Sequence, residues 1–141
     1  MESQEIMIDD VILNKIDTIK RCLGRIDEEF TDEDIFKNNY TKQDSVILNL
    51  ERISQATIDI ATHIIRVKKL GIPKSSKELF SILENYDYIS TNISFNMQKM
   101  LGFRNIAVHD YQNLSIDIVI SIVKNNLDDF IDFSNEVLKK R

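Results

Sequence analysis

The chain has 141 residues, 23 of them acidic and 18 basic, for a formal net charge of -5. A hydrophobic share of 43% excludes global disorder, three Gly and one Pro are too few for a turn-rich β-sandwich or barrel, and one Cys excludes a disulfide framework or a Cys-rich zinc site. The length fits a single domain over 1–141, and the acidic balance argues at first sight against a nucleic-acid partner, although a sum is silent about local charge.

The start, Met1-Glu2-Ser3-Gln4-Glu5, has no basic segment with an apolar run behind it, so no signal peptide is expected. No apolar run approaches the roughly 18 residues of a membrane span, and a soluble cytoplasmic protein with no membrane partner is the expectation. Ile8, Val11/Ile12, Ile16, Ile19, Leu23, Ile26 and Phe30 recur in steps of three and four and predict a first long helix. Cys22 falls in this pattern as a small buried thiol. Thr31 to Asn39 is polar and acidic and reads as a connector. A second stripe runs Val46, Leu50, Ile53, Thr57, Ile60/Ala61, Ile64, Val67 and stops at Gly71-Ile72-Pro73. Ser76 and Glu78 open a short helix over about 76–85, and Tyr86 to Ser90 is a break. Thr91 is the expected cap of a further helix through Met97, Met100/Leu101 and Val108. After Asn113-Leu114-Ser115 a last helix carries Ile116, Val119/Ile120, Val123, Leu127, Phe130/Ile131 and Val137/Leu138. The 23 isoleucines favour strands by propensity, but the 3.6-residue period overrides that preference. The expected fold is all-α, an antiparallel up-and-down bundle of four long helices plus one short helix.

Charge is uneven along the chain. Residues 1–34 hold eleven acids and four bases, whereas residues 60–77 hold Arg66, Lys68, Lys69, Lys74 and Lys77 and no acid. One reading of the second segment is a solvated helix end whose cations complement the macrodipole. The other is an electropositive strip that guides a phosphate backbone despite the negative total.

The segment Gly102-Phe103-Arg104-Asn105-Ile106-Ala107-Val108-His109-Asp110-Tyr111 concentrates rare residue types. It carries one of six Arg, one of two His and one of four Tyr. If the helix continues through it, Arg104 and Tyr111, seven apart, share a face, and Asn105 and His109, four apart, stack on the next. Arg104 and His109 lie roughly 140° apart around the axis, yet their long side chains can converge on one ligand if the helix edge borders a cleft. Arg offers a rigid fork of donors for phosphate oxygens, and His moves a proton near neutral pH. Together they fit metal-free RNA cleavage, in which a base deprotonates a 2′-hydroxyl and Arg stabilises the phosphorane. A polar cluster that merely caps a helix end is the competing reading of the same spacing.

In the setting Met100-Leu101-Gly102-Phe103-Arg104-Asn105-x-x-Val108-His109-Asp110-Tyr111, the Arg-x4-His-x-Tyr pattern resembles the HepT-type toxins of the HEPN superfamily. The likeness extends to Leu50–Ile53 and Ile58–Ala61, to Leu70–Pro73 with Ser76–Phe80, and to Leu127–Phe130. It implies a helical homodimer that cuts RNA without metal at a cleft near the dimer interface. It also implies a partner, a small nucleotidyltransferase antitoxin of the MntA type, which silences the toxin by transferring AMP to the motif Tyr. Carried over by residue, Arg104 and His109 are catalytic, Asn105 supports the site, and Tyr111 supports it and is the modification target. In-line RNA cleavage wants both a base and an acid while the motif holds one His per chain, so a two-fold axis near the cleft that gathers two His109 and two Arg104 is the hypothesis. The alternative from a different class is a non-catalytic helical partner or substrate-binding subunit of a small nucleotidyltransferase.

Other candidates read as structural. His63 lies on or beside the apolar stripe and is expected to be a hydrogen-bonded core or boundary histidine. Asp9-Asp10 and Asp128-Asp129 point about 100° apart on a helix and are expected to be solvated rather than metal ligands. No Gly-rich phosphate loop, serine elbow or zinc helix is present in the sequence, and neither a cofactor nor a metal is expected.

Overall fold

A computed structural model describes the backbone of residues 2–140 and the side chains of residues 10–140; Ile8 and Asp9 lie outside the described side chains. Among the described residues the chain is all-α and has no strand. It forms α1 (Glu2–Glu29), α2 (Glu33–Lys37), α3 (Tyr40–Lys68), α4 (Ser76–Asn85), α5 (Thr91–His109), a 3₁₀ turn (Tyr111–Asn113), α6 (Ile116–Asn125) and α7 (Leu127–Lys140).

The starts of four helices follow from short polar side chains. Asp32, Asn39, Ser75 and Ser90 each accept a hydrogen bond from the backbone N–H three residues on, satisfying a donor that the helix leaves open. Ser90, not Thr91, is therefore the cap of α5; Thr91 instead donates its hydroxyl to Glu84 at 3.0 Å. The segment expected to be a plain connector contains α2, because Phe36 is fully buried against Phe30, with ring centroids 4.8 Å apart. Gln43 seals that turn by donating to the Phe36 and Lys37 carbonyls at 2.9 and 3.1 Å. The single last helix is divided in two at Asn126, whose side chain turns to Asp129 at 3.2 Å instead of continuing the helix.

Cross-helix contacts give the directions. Lys15–Asp59 and Lys42–Glu29 pair α1 with α3 in opposite senses. Gln55–Arg104 and Asp44–Tyr111 run the stretch from α5 into its following turn against α3. Thr91 and Gln98 of α5 reach Glu84 and Ser81 of α4, and Ser90 and Asn96 reach Glu136 and Asp129 of α7, both pairs antiparallel. One core joins these elements. It is built from Ile12, Ile16, Ile19 and Ile26 of α1, Val46, Leu50, Ile53, Ile60 and Ile64 of α3, Phe80 of α4, and Phe130 and Phe133 of α7. Each such side chain contributes about 1.5–3 kcal/mol of burial. No helix among the described residues is long and apolar enough to cross a membrane.

Candidate active site

The buried face of α5 is Met97, Met100, Phe103 and Ala107. That register sets Arg104 at the half-buried edge toward α3 and leaves Asn105 and His109 exposed, four apart on the outer side. Val108, expected on the apolar stripe, is exposed. The helix ends at His109, where Asp110 adopts φ -147 and ψ 46 and its N–H closes on the Ile106 carbonyl at 2.8 Å. Arg104 and Tyr111 therefore do not share a helix face. Tyr111 opens the 3₁₀ turn, which Asn113 staples by donating to both Asp110 carboxylate oxygens at 2.9 and 3.1 Å.

The outer ridge of α3 holds both motif residues from across the groove. Arg104 Nη2 donates to Gln55 Oε1. The amide of Gln55 is oriented in turn by donating its Nε2 to Asp59 at 2.8 Å, and Asp59 pairs with Lys15 of α1 at 3.0 Å. This relay of four side chains fixes the guanidinium plane, while Arg104 Nε remains buried with no hydrogen-bond partner among the described residues. The hydroxyl of Tyr111 donates to Asp44. Partial burial and then the Asp44 carboxylate raise the phenol pKa to about 12, so the group is a neutral phenol at pH 7. Asp44, Gln55, Asp59 and Lys15 carry no motif of their own. Their part follows only from the register of α3 against α5 and α1, which no one-dimensional pattern supplies.

Arg104 and Asn105 line a cleft of about 320 Å³ with Leu101, Gly102, Ser75, Ser76 and Lys77. The opposite wall is thus the first turn of α4. Of the five cations in the basic strip, Lys77 is the one in this wall; Lys68, Lys69 and Lys74 are exposed elsewhere. Arg66 donates to His63 Nδ1 at 3.1 Å. His63 is accordingly the buried histidine expected from the stripe, its pKa lowered by burial and then by the Arg66 charge. Its Nε2 is buried and has no partner among the described residues. Asp129 is not merely solvated, because both its oxygens accept side-chain amides, from Asn96 and Asn126. Among the described residues no three His, Cys, Asp or Glu converge as metal ligands do.

The profile of the ribonuclease HepT-like family matches residues 12–137. The mRNA nuclease HepT of Shewanella oneidensis is 52% identical over 126 residues, which are 89% of this chain and 95% of that protein. Among solved structures, the tri-AMPylated Shewanella oneidensis HEPN toxin in complex with MNT antitoxin is similar with a TM-score of 0.89 at 50% identity, covering 93% of this chain and 98% of that one. A toxin–antitoxin complex with AMP-PNP matches with a TM-score of 0.89 at 49% identity, over 93% and 99% of the two chains. YutE of Bacillus subtilis, a cytosolic protein of unknown function, shares the fold alone, at 14% identity and a TM-score of 0.80 over 91% and 86%. The chain belongs to the HepT-like ribonuclease family.

Proposed function

We propose that this protein is the toxin of a HEPN/MNT toxin–antitoxin pair, an endoribonuclease that cleaves mRNA without metal and is silenced by AMP transfer to Tyr111. The observation that carries the reading is the arrangement around Arg104. One end of its guanidinium is oriented by Gln55, and its cleft is closed on the far side by Ser75, Ser76 and Lys77. A lysine in the first turn of a helix opposes the helix dipole. Its place at the α4 N-terminus, facing an arginine, suits a bound phosphate, which both cations and the open N–H groups stabilise.

In this reading the His109 imidazole takes the proton of a ribose 2′-hydroxyl. The 2′-oxygen attacks the adjacent phosphorus, the bond to the 5′-oxygen breaks, and Arg104 stabilises the charge on the phosphorane. The products are a 2′,3′-cyclic phosphate and a 5′-hydroxyl. Asn105 supports the site from the turn below His109. Protonating the leaving 5′-oxygen takes a second acid, and His109 of a second copy supplies it in a two-fold homodimer. A groove of about 270 Å³ beside the motif supports that assembly, since Phe103, Ile106, Leu114 and Ile118 give it apolar walls. Ile106 and Ile118 are 38% and 50% exposed in the monomer, so both gain from being covered.

Silencing follows from the Tyr111–Asp44 pair. Asp44 orients the hydroxyl and takes its proton as the phenolic oxygen attacks the α-phosphorus of ATP and pyrophosphate leaves. The transfer is performed by a cognate MntA-type nucleotidyltransferase, as the AMPylated relative in complex with its antitoxin suggests. The new phosphate repels Asp44 and covers the motif. Tyr111 and Arg104 meet α3 at positions eleven residues apart, roughly 16 Å along its axis. A chain of several AMP units therefore covers more of the gap than one. Induced expression tests the reading. Growth arrest is expected from the parent chain, with none from Arg104→Ala or His109→Ala, and rescue by the antitoxin is expected only when Tyr111 is present. Arrest that survives both substitutions contradicts it.

A further inference from the structure

Two of the six arginines lie in the most acidic stretch of the sequence, and a third joins them in space. Arg21 and Arg25 of α1 and Arg52 of α3 line a cleft of about 460 Å³ between the two helices. All three charges act on the thiol of Cys22 at its floor, opposing the burial that raises its pKa. Arg21 is bound to Asp17 at 3.3 Å and to Thr18 at 3.4 Å. Arg25 and Arg52 form no ion pair among the described residues. The carboxylate lining the cleft is Glu28, and the ion pairs Lys15–Asp59 and Lys42–Glu29 close the groove at either end. With Asp17 holding Arg21 and Glu28 as the carboxylate in the lining, Arg25 and Arg52 leave the concavity with an excess of positive charge, which suits an added anion.

The cleft is separated from the motif by one ridge of α3. Arg52 and Gln55 are three apart on α3, hence neighbours on one ridge with Cβ atoms roughly 5–6 Å apart. Gln55 is the residue that holds Arg104. Lys77, Arg104, Arg52 and Arg25 therefore form a cationic track across α4, α5, α3 and α1, with Arg104 in its interior. We propose that the arginine cleft binds the phosphodiester backbone of the RNA substrate to one side of the scissile bond, while Lys77 engages the other side. This rests on the ribonuclease reading above. Planar guanidinium forks suit closely spaced phosphate oxygens, and a strand threaded through Arg104 must leave the site in both directions. An acidic protein surface has no comparable need for proximity to Arg104.

Fluorescence anisotropy with a labelled single-stranded RNA, measured over a salt series on the His109→Ala chain, tests the assignment. Adding Arg25→Ala and Arg52→Ala together is expected to weaken binding about tenfold and to reduce the salt slope by about 1.4, since each lost phosphate contact on a single strand contributes about 0.7. Arg52→Glu should weaken binding further, and thermal melting checks that each variant is folded. Affinity and slope that stay the same overturn the proposal. So does unchanged RNA binding together with a weakened complex with the nucleotidyltransferase, which would assign the cleft to the partner protein. No RNA binding by the His109→Ala chain itself would overturn the ribonuclease reading along with it.

Discussion

The inner face of α3 presents Val46, Leu50, Ile53, Ile60 and Ile64, each at most 1% exposed, to a core shared with α1, α4 and α7. Its outer ridge presents Asp44, Arg52, Gln55 and Asp59, and three of these contact polar groups on α1, on α5 or in the turn after it. The two faces tolerate change differently. Burial is non-directional, so on the inner face another apolar side chain of similar volume serves nearly as well. On the outer ridge each partner is set by donor, acceptor and charge, so a change in chemistry at constant size is enough to disconnect it. Stability resides on one side of the helix and the control of Arg104 and Tyr111 on the other.

Substitutions on the two faces should separate accordingly. Asp44→Asn keeps the size and an acceptor for Tyr111 but removes the base. AMP transfer by the cognate nucleotidyltransferase should fall by about 10²–10⁴-fold in a radiolabel assay, with the melting temperature little changed. Transfer at the parent rate would remove Asp44 from that chemistry. Ile53→Ala on the inner face should lower stability by about 2–5 kcal/mol in urea denaturation. Cleavage per folded molecule should stay within about twofold, because an inner-face change leaves the groups on the outer ridge in place. Gln55→Ala releases one hydrogen bond to the charged Arg104, worth about 1.5–3 kcal/mol, so RNA cleavage should fall by about 10–150-fold. Gln55→Glu should restore the contact to the guanidinium.

The smallest expected effect is in pH dependence. His63 is neutral when folded, and its pKa is depressed by burial and by Arg66. The unfolded chain, with its ordinary His pKa of about 6.5, takes up the proton first. Stability should therefore be at its full value above about pH 6.5 and decline as pH falls from there toward the lowered folded pKa. His63→Gln should flatten that part of a melting-temperature profile. An equal slope in the variant would assign the effect to other groups.

Most of the helical layout is legible in the sequence, because a stripe of isoleucines at 3.6-residue spacing can bury itself in only one way. The short α2 is not, since its single turn depends on Phe36 finding Phe30 and on Gln43 sealing the carbonyls beyond it. The division at Asn126 was hidden by apolar residues that continue in phase on both sides. Within the candidate site, Arg104, Asn105, His109 and Tyr111 are marked by residue type and spacing. The end of α5 is not marked, and so Tyr111 leaves the face that continued helical geometry assigns it. Gln55 and Asp44 are invisible for a further reason. A glutamine and an aspartate on a polar helix face look like solvated surface until the neighbouring helix is laid against them. The arginine cleft was masked by arithmetic, since eleven acids in the first 34 residues outweigh the bases among them, Arg21 and Arg25 included. A net charge records the sum and loses the groove.

Cleavage of RNA by the purified protein in EDTA, with the product ends identified, tests the central claim most directly. The account predicts fragments that carry 2′,3′-cyclic phosphate and 5′-hydroxyl ends, formed by the parent chain and reduced by at least about a thousandfold in His109→Ala. Cleavage that needs an added divalent metal, or that leaves 3′-hydroxyl and 5′-phosphate ends, would contradict it.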